Sequence, residues 1–220
     1  MNEFMLTKEN FDRYISSIIV QDMSLVGKLK QNNNYYLVKD EDCLFWCFFI
    51  LKYGMENYMV NKGRQYNVMQ KIKIKSIEEI KSINDMIKQY KLKKTDIEQN
   101  MLYDTQIHKS SFFYLCLYYK LNVVIVEDNV YYECIGDDSI GSVIHMIKKE
   151  KHHYMIYNQI ENDYATKYYK ITNVSKPLLS ISSYKVADLQ DICKKLKISL
   201  PEKTLKKEMY EKIVKEIYTN

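Results

Sequence analysis

Cys43 is the residue of this chain best placed to do chemistry. It follows Asp40-Glu41-Asp42 and opens Leu44-Phe45-Trp46-Cys47-Phe48-Phe49-Ile50-Leu51, the most apolar run in the sequence. A cysteine in the first turn of a buried helix lies where the macrodipole favours the thiolate, the attacking form. Such a nucleophile needs a base within hydrogen-bond reach and backbone N–H groups for the developing oxyanion. The histidines are His108, His145, His152 and His153. His152 and His153 open a β-patterned stretch, a place from which a base can face a helix packed on a sheet. Each candidate also has a plainer reading. Free cysteine is among the most buried residue types, so Cys43 can be a small core filler, and a histidine pair at a strand edge can be a solvated loop end.

The elements that must position these groups follow from spacing. Leu44, Phe45, Phe48, Phe49 and Leu51 recur at three and four, which predicts a buried helix with Asp42 as its N-cap. Before it, Thr7 to Val20 reads as an amphipathic helix, Gln31 to Asn34 as a polar loop and Tyr35 to Val38 as a short extended piece. After it, Gly54 and Gly63 mark a stop and a turn, and residues 64–92 carry isoleucines at helical spacing, predicting one long helix or two shorter ones. Thr95-Asp96-Ile97-Glu98 has the form of a capping box. Residues 109–120 read as a buried helix, Val123 to Val126 as a central strand, and Val130 to Cys134 as its hairpin partner across Asp128-Asn129. A loop holds Gly136 to Gly141; it lacks the Lys-Ser/Thr of a phosphate loop. His153 to Tyr157 and Tyr164 to Ile171 complete the strands, and the expected class is α+β with helices packed on a small sheet.

The order Asp-x-x-Cys-Leu-Phe at a helix start, a helix with an apolar strand and hairpin, then His-Tyr opening a strand resembles the ovarian-tumour (OTU) family of papain-like cysteine peptidases. The resemblance covers about residues 35–160. It implies cleavage of isopeptide bonds to ubiquitin or a ubiquitin-like protein, with Cys43 as nucleophile and His153 as base. By the same resemblance, Asp40 braces the turn that forms the oxyanion hole. Glu41 stands where the family carries glycine, and Met155 where it carries the residue that orients the histidine. The run Asp42 to Phe48 is also similar to proteins of large DNA viruses in which the position of Cys43 need not be cysteine. That implies a second expectation, the fold kept without the peptidase and used as a structural or nucleic-acid-associated protein.

Composition bounds the rest. A 220-residue chain with 46% hydrophobic and 28% charged residues is long enough for one substantial core. Five cysteines at unpatterned spacings, without a secretory leader or a long apolar span, fit a reducing intracellular setting such as a host cytoplasm or a virion, with no membrane partner. No metal or cofactor is expected: Cys43 and Cys47 stand at i, i+4, but no second Cys/His pair has zinc-site spacing.

The net charge of +5 is concentrated in the tail, where residues 176–220 hold 10 lysines against 6 acids. Lys176-Pro177 marks a break, giving expected units of 1–174 and 175–220. Tyr184 to Leu196 and Leu205 to Ile217 read as two amphipathic helices and resemble the small SAP or Rho-N-terminal-type modules. That resemblance implies phosphate contacts near the second helix's N-terminus, from Lys194, Lys195, Lys197, Lys203, Lys206 and Lys207. A docking helical pair with a solvated lysine face reads the same residues without a nucleic acid. Arginine is confined to Arg13 and Arg64, which argues against bidentate base readout.

Overall fold

The structure is a computed structural model that describes residues 35–137, 144–150, 153–157, 164–201 and 203–219. The class is α+β. A six-stranded mixed sheet is formed by β1 (Tyr35–Leu37), β2 (Asn122–Glu127), β3 (Val130–Ile135), β4 (Ile144–Glu150), β5 (His153–Tyr157) and β6 (Tyr169–Lys170), in the order β1-β5-β4-β2-β3-β6. β2 and β4 run parallel, as do β3 and β6, while the β1–β5, β4–β5 and β2–β3 pairs are antiparallel.

Helices cover one face of the sheet. α1 (Cys43–Tyr53) is buried from Cys43 through Ile50, because its apolar residues surround the helix rather than form a stripe. Gly54 ends it with φ of 87°, a conformation that costs glycine little. A short helix not anticipated from the sequence follows, α2 (Met55–Val60). The isoleucine-rich stretch is broken into α3 (Gln65–Glu78), a 3-10 turn over Ile80–Ile83 and α4 (Asn84–Gln89). α5 (Lys94–Tyr103) begins one residue before Thr95, with no side-chain cap, so the expected capping box is not made.

α6 (Lys109–Tyr118) lies beside α1 and packs on β2 and β3. Asn100, 2% exposed, ties α5 to α6: its oxygen accepts from His108 N–H and Ser111 Oγ, and its nitrogen donates to Asp104 and the Gln106 carbonyl.

β2 is buried along its whole length, its apolar centre Val123 to Val126 covered on both faces. Val123 and Ile125 join the main core, while Val124 and Val126 pack on the other face with Tyr131, Tyr164 and Tyr168. Gly136 closes the β2–β3 pair against the end of α6. A Cβ there would lie 2.7–2.9 Å from backbone atoms of Leu121 and Cys116.

Two strand expectations are corrected. β4 stands between Gly141 and His153, where no element was expected, and the first half of Tyr164 to Ile171 is helical, α7 (Tyr164–Lys167), with Tyr169–Lys170 extended. The expected helix over residues 7–20 and the polar loop 31–34 lie outside the described residues.

After a 3-10 turn at Ile181–Ser183 come α8 (Val186–Lys195) and α9 (Lys206–Thr219). Their facing residues Leu189, Ile192, Cys193, Leu196, Met209 and Ile213 make a core of their own with Leu178. That core borders Val130 and Tyr169 of the sheet, and Asn129 Nδ2 donates to the Leu196 carbonyl across 3.3 Å. Among the described residues no helix is long and apolar enough to cross a membrane.

Candidate functional site

Asp42 and Cys43 sit where the polar turn meets the apolar helix. Asp42 caps α1, its carboxylate accepting from Phe45 N–H at 3.4 Å. The same carboxylate accepts from Ile107 N–H at 3.0 Å and pairs with Lys73 at 3.2 Å. Lys73 is fully buried, its ammonium 5.7 Å from the Phe45 ring centre. Burial pushes the Asp42 carboxyl above its ordinary value, with the Lys73 charge and the two N–H donors pulling the other way. This network pins the start of α1 to α3 and to the loop before α6. Asp40 has a similar duty one turn earlier: its carboxylate accepts from Tyr58 Oη and from Gln65 Nε2, fastening the turn to α2 and α3.

Cys43 is 3% exposed. Its thiol donates to the Val38 carbonyl at 3.3 Å and its sulfur accepts from Tyr154 N–H at 3.2 Å. Val38 N–H in turn donates to the Tyr154 carbonyl at 3.2 Å. Val38 and Tyr154 directly continue the β1–β5 register, so a second direct backbone bond would belong between them. The thiol stands in that bond's place. A thiolate would still accept from Tyr154, but it has no proton for Val38 and would set its charge against a carbonyl oxygen. Cys47, fully buried, adds its thiol to the Cys43 sulfur, and burial followed by that contact holds the Cys47 pKa well above the ordinary thiol value.

Tyr154 connects this point to a second polar cluster. Its hydroxyl donates to Glu127 at 2.8 Å, and the other Glu127 oxygen takes Lys109 at 2.7 Å. Lys109 also donates to Tyr132 Oη at 3.1 Å and lies 4.3 Å from that ring's centre. Burial alone would lower the Lys109 pKa; Glu127 and Tyr132 outweigh it and raise it. Both Glu127 oxygens are thus committed.

The sequence-derived candidates divide as follows. Cys43 and the backbone of β5 are brought together, since Tyr154 is the residue after His153. The His153 side chain and all of His152 lie outside the described residues. His108 is on the surface, with Nε2 3.9 Å from Asp104 at the start of α6. Among the described residues no group of three or more His, Cys, Asp or Glu could hold a metal ion.

In the tail, Lys194, Lys197, Lys203 and Lys207 are exposed and Lys195 and Lys206 half-buried, all around the connection from α8 to α9. Lys207 makes an exposed 3.9 Å pair with Glu211, and Lys195 reaches the Ala165 carbonyl at 3.4 Å. Two residues central to the site were missed from sequence. Lys73 is one of three lysines at alternate positions, Lys71, Lys73 and Lys75, and nothing in that pattern singles out the buried one. Tyr154 carries no signal in the sequence beyond its place next to a histidine.

No family model matches this chain, and neither a curated protein nor a solved structure matches it.

Proposed function

We propose that the chain is an OTU-like, papain-type fold kept without its peptidase, serving as an interaction protein that holds nucleic acid through its lysine-rich C-terminal helices. The observation that carries the first half is the Cys43 thiol built into the β1–β5 ladder. A nucleophile must present its sulfur to a substrate carbonyl. Here the sulfur is 3% exposed, and both its donor and its acceptor capacity serve the fold. The second half is supported by charge: lysines from the end of α8, the connection and the start of α9 gather at one end of the helical pair, where they match a phosphate backbone.

Labelling with a ubiquitin bearing a C-terminal thiol-reactive group tests the first half. The folded wild-type chain is expected to stay unlabelled, like Cys43→Ala. Labelling of wild type that is lost in Cys43→Ala and His153→Ala would instead establish an isopeptidase. One observation favours that competing reading: the thiol lies against the backbone of the residue next to His153. For the second half, affinity for single-stranded DNA is expected to fall as salt rises, with a log–log slope near −0.7 per phosphate neutralised. The triple variant Lys203→Gln, Lys206→Gln, Lys207→Gln is expected to flatten that slope.

A further inference from the structure

A groove of about 790 Å³ opens between α7–β6 and α8, and two tyrosines, three lysines and two aspartates line it. Its volume is that of a ligand site, about 300–1,000 Å³. Its chemistry is of two kinds. Tyr169 and Tyr184 are half-buried aromatic rings held by the structure around them: Tyr184 packs 6.3 Å from Tyr210, and its hydroxyl accepts from Leu179 N–H at 3.0 Å. Around the rings stand three lysines. Lys194 is exposed in the last turn of α8, Lys195 reaches across to Ala165, and Lys167 stands on the opposite wall.

Of the two acids, Asp188 is committed to the helix start, accepting from Lys185 N–H at 2.7 Å. Asp191 is exposed, where a carboxylate can accept from the exocyclic amine of a base. Fixed aromatic faces with lysines beside them are what sequence-tolerant recognition of unpaired bases requires, stacking for the bases and point charges for the phosphates. A duplex hides its base faces and could use only the lysines.

We propose that this groove is a single-stranded nucleic-acid site, with Tyr184 and Tyr169 stacking bases and Lys167, Lys194 and Lys195 holding the phosphates. The inference rests on the nucleic-acid reading above, deepens it to single strands, and extends the contact from the α9 N-terminus into the α7–α8 groove.

The test is fluorescence anisotropy of the full chain with a labelled oligothymidylate, and with a duplex of the same length as competitor. Single strand is expected to bind tighter than duplex. Tyr184→Leu should weaken it roughly tenfold, within the range that loss of one stacked base produces. Lys194→Gln changes an exposed side chain and so leaves the fold intact; it should weaken binding and make the salt slope shallower by about 0.7. Asp191→Asn should not weaken oligothymidylate binding, because it removes a negative charge and thymine has no exocyclic amine to lose. Binding that survives Tyr184→Leu and Lys194→Gln but is lost in the Lys203, Lys206 and Lys207 triple variant would overturn the groove and leave the nucleic-acid reading standing. Equal affinity for duplex would overturn the stacking role, and no binding by wild type would overturn both.

Discussion

Removing the Cys43 sulfur separates a structural thiol from a catalytic one, because the two predict opposite changes in stability. Cys43→Ala deletes one donor and one acceptor at once and leaves the Tyr154 N–H and the Val38 carbonyl facing each other across the space the sulfur filled. An unpaired buried backbone group costs about 1–3 kcal/mol. Two of them, partly relieved as the strands close on each other, give about 3 kcal/mol. In a chain of this size 1 kcal/mol moves the melting temperature by about 2–4 °C, so the expected loss is about 6–12 °C. Cys43→Ser keeps a donor and an acceptor on a shorter arm and should lose about half as much. The assay is urea unfolding followed by circular dichroism, with thermal melting alongside. The order wild type, then Ser, then Ala is the expected result. A nucleophile held in a strained site gives the reverse, since relieving it commonly stabilises a fold. An alanine variant as stable as wild type would refute the ladder role of the thiol and return Cys43 to the list of catalytic candidates.

Lys73→Met leaves the Asp42 carboxylate buried without its counter-charge, and the expected destabilisation is about 3–5 kcal/mol in urea unfolding. Adding Asp42→Asn in the same chain should recover part of that loss, which a double-mutant cycle reads as coupling between the two residues. Gly136→Ala sets a methyl within 2.9 Å of three backbone atoms that no side-chain rotation can move, and should cost at least about 2 kcal/mol by the same measurement. Burial raises the phenols of Tyr53, Tyr58, Tyr114, Tyr118 and Tyr154 above their ordinary value. Their stabilising contribution is present in full below about pH 10, where the unfolded chain still holds its protons, and is lost as pH rises beyond that. Phenolate absorbance should therefore grow with cooperative alkaline unfolding; ionisation of these tyrosines while the fold persists would contradict their burial.

What was legible in the sequence was what period and local chemistry can encode. The Asp42 cap, the Cys43 helix, the 109–120 helix, the central apolar strand and its hairpin partner are each fixed within a dozen residues, and each stands where it was expected. The failures share one cause, dependence on partners distant in the chain. β4 has charges at its end, and what makes it a strand is a parallel pairing to β2 and an antiparallel one to β5. Lys73 looks like any solvated lysine until Asp42, 31 residues earlier, is placed beside it. The role of Cys43 turns on a contact of the same distant kind. Helix position and neighbouring residues are the same for a nucleophile and for a ladder thiol; what distinguishes them is the backbone of Tyr154, 111 residues away. A sequence resemblance to cysteine peptidases therefore concerns the helix and the strand, whereas catalysis depends on whether the sulfur between them is bonded to the sheet or open to a substrate. In this fold it is bonded to the sheet, through the Tyr154 N–H and the Val38 carbonyl.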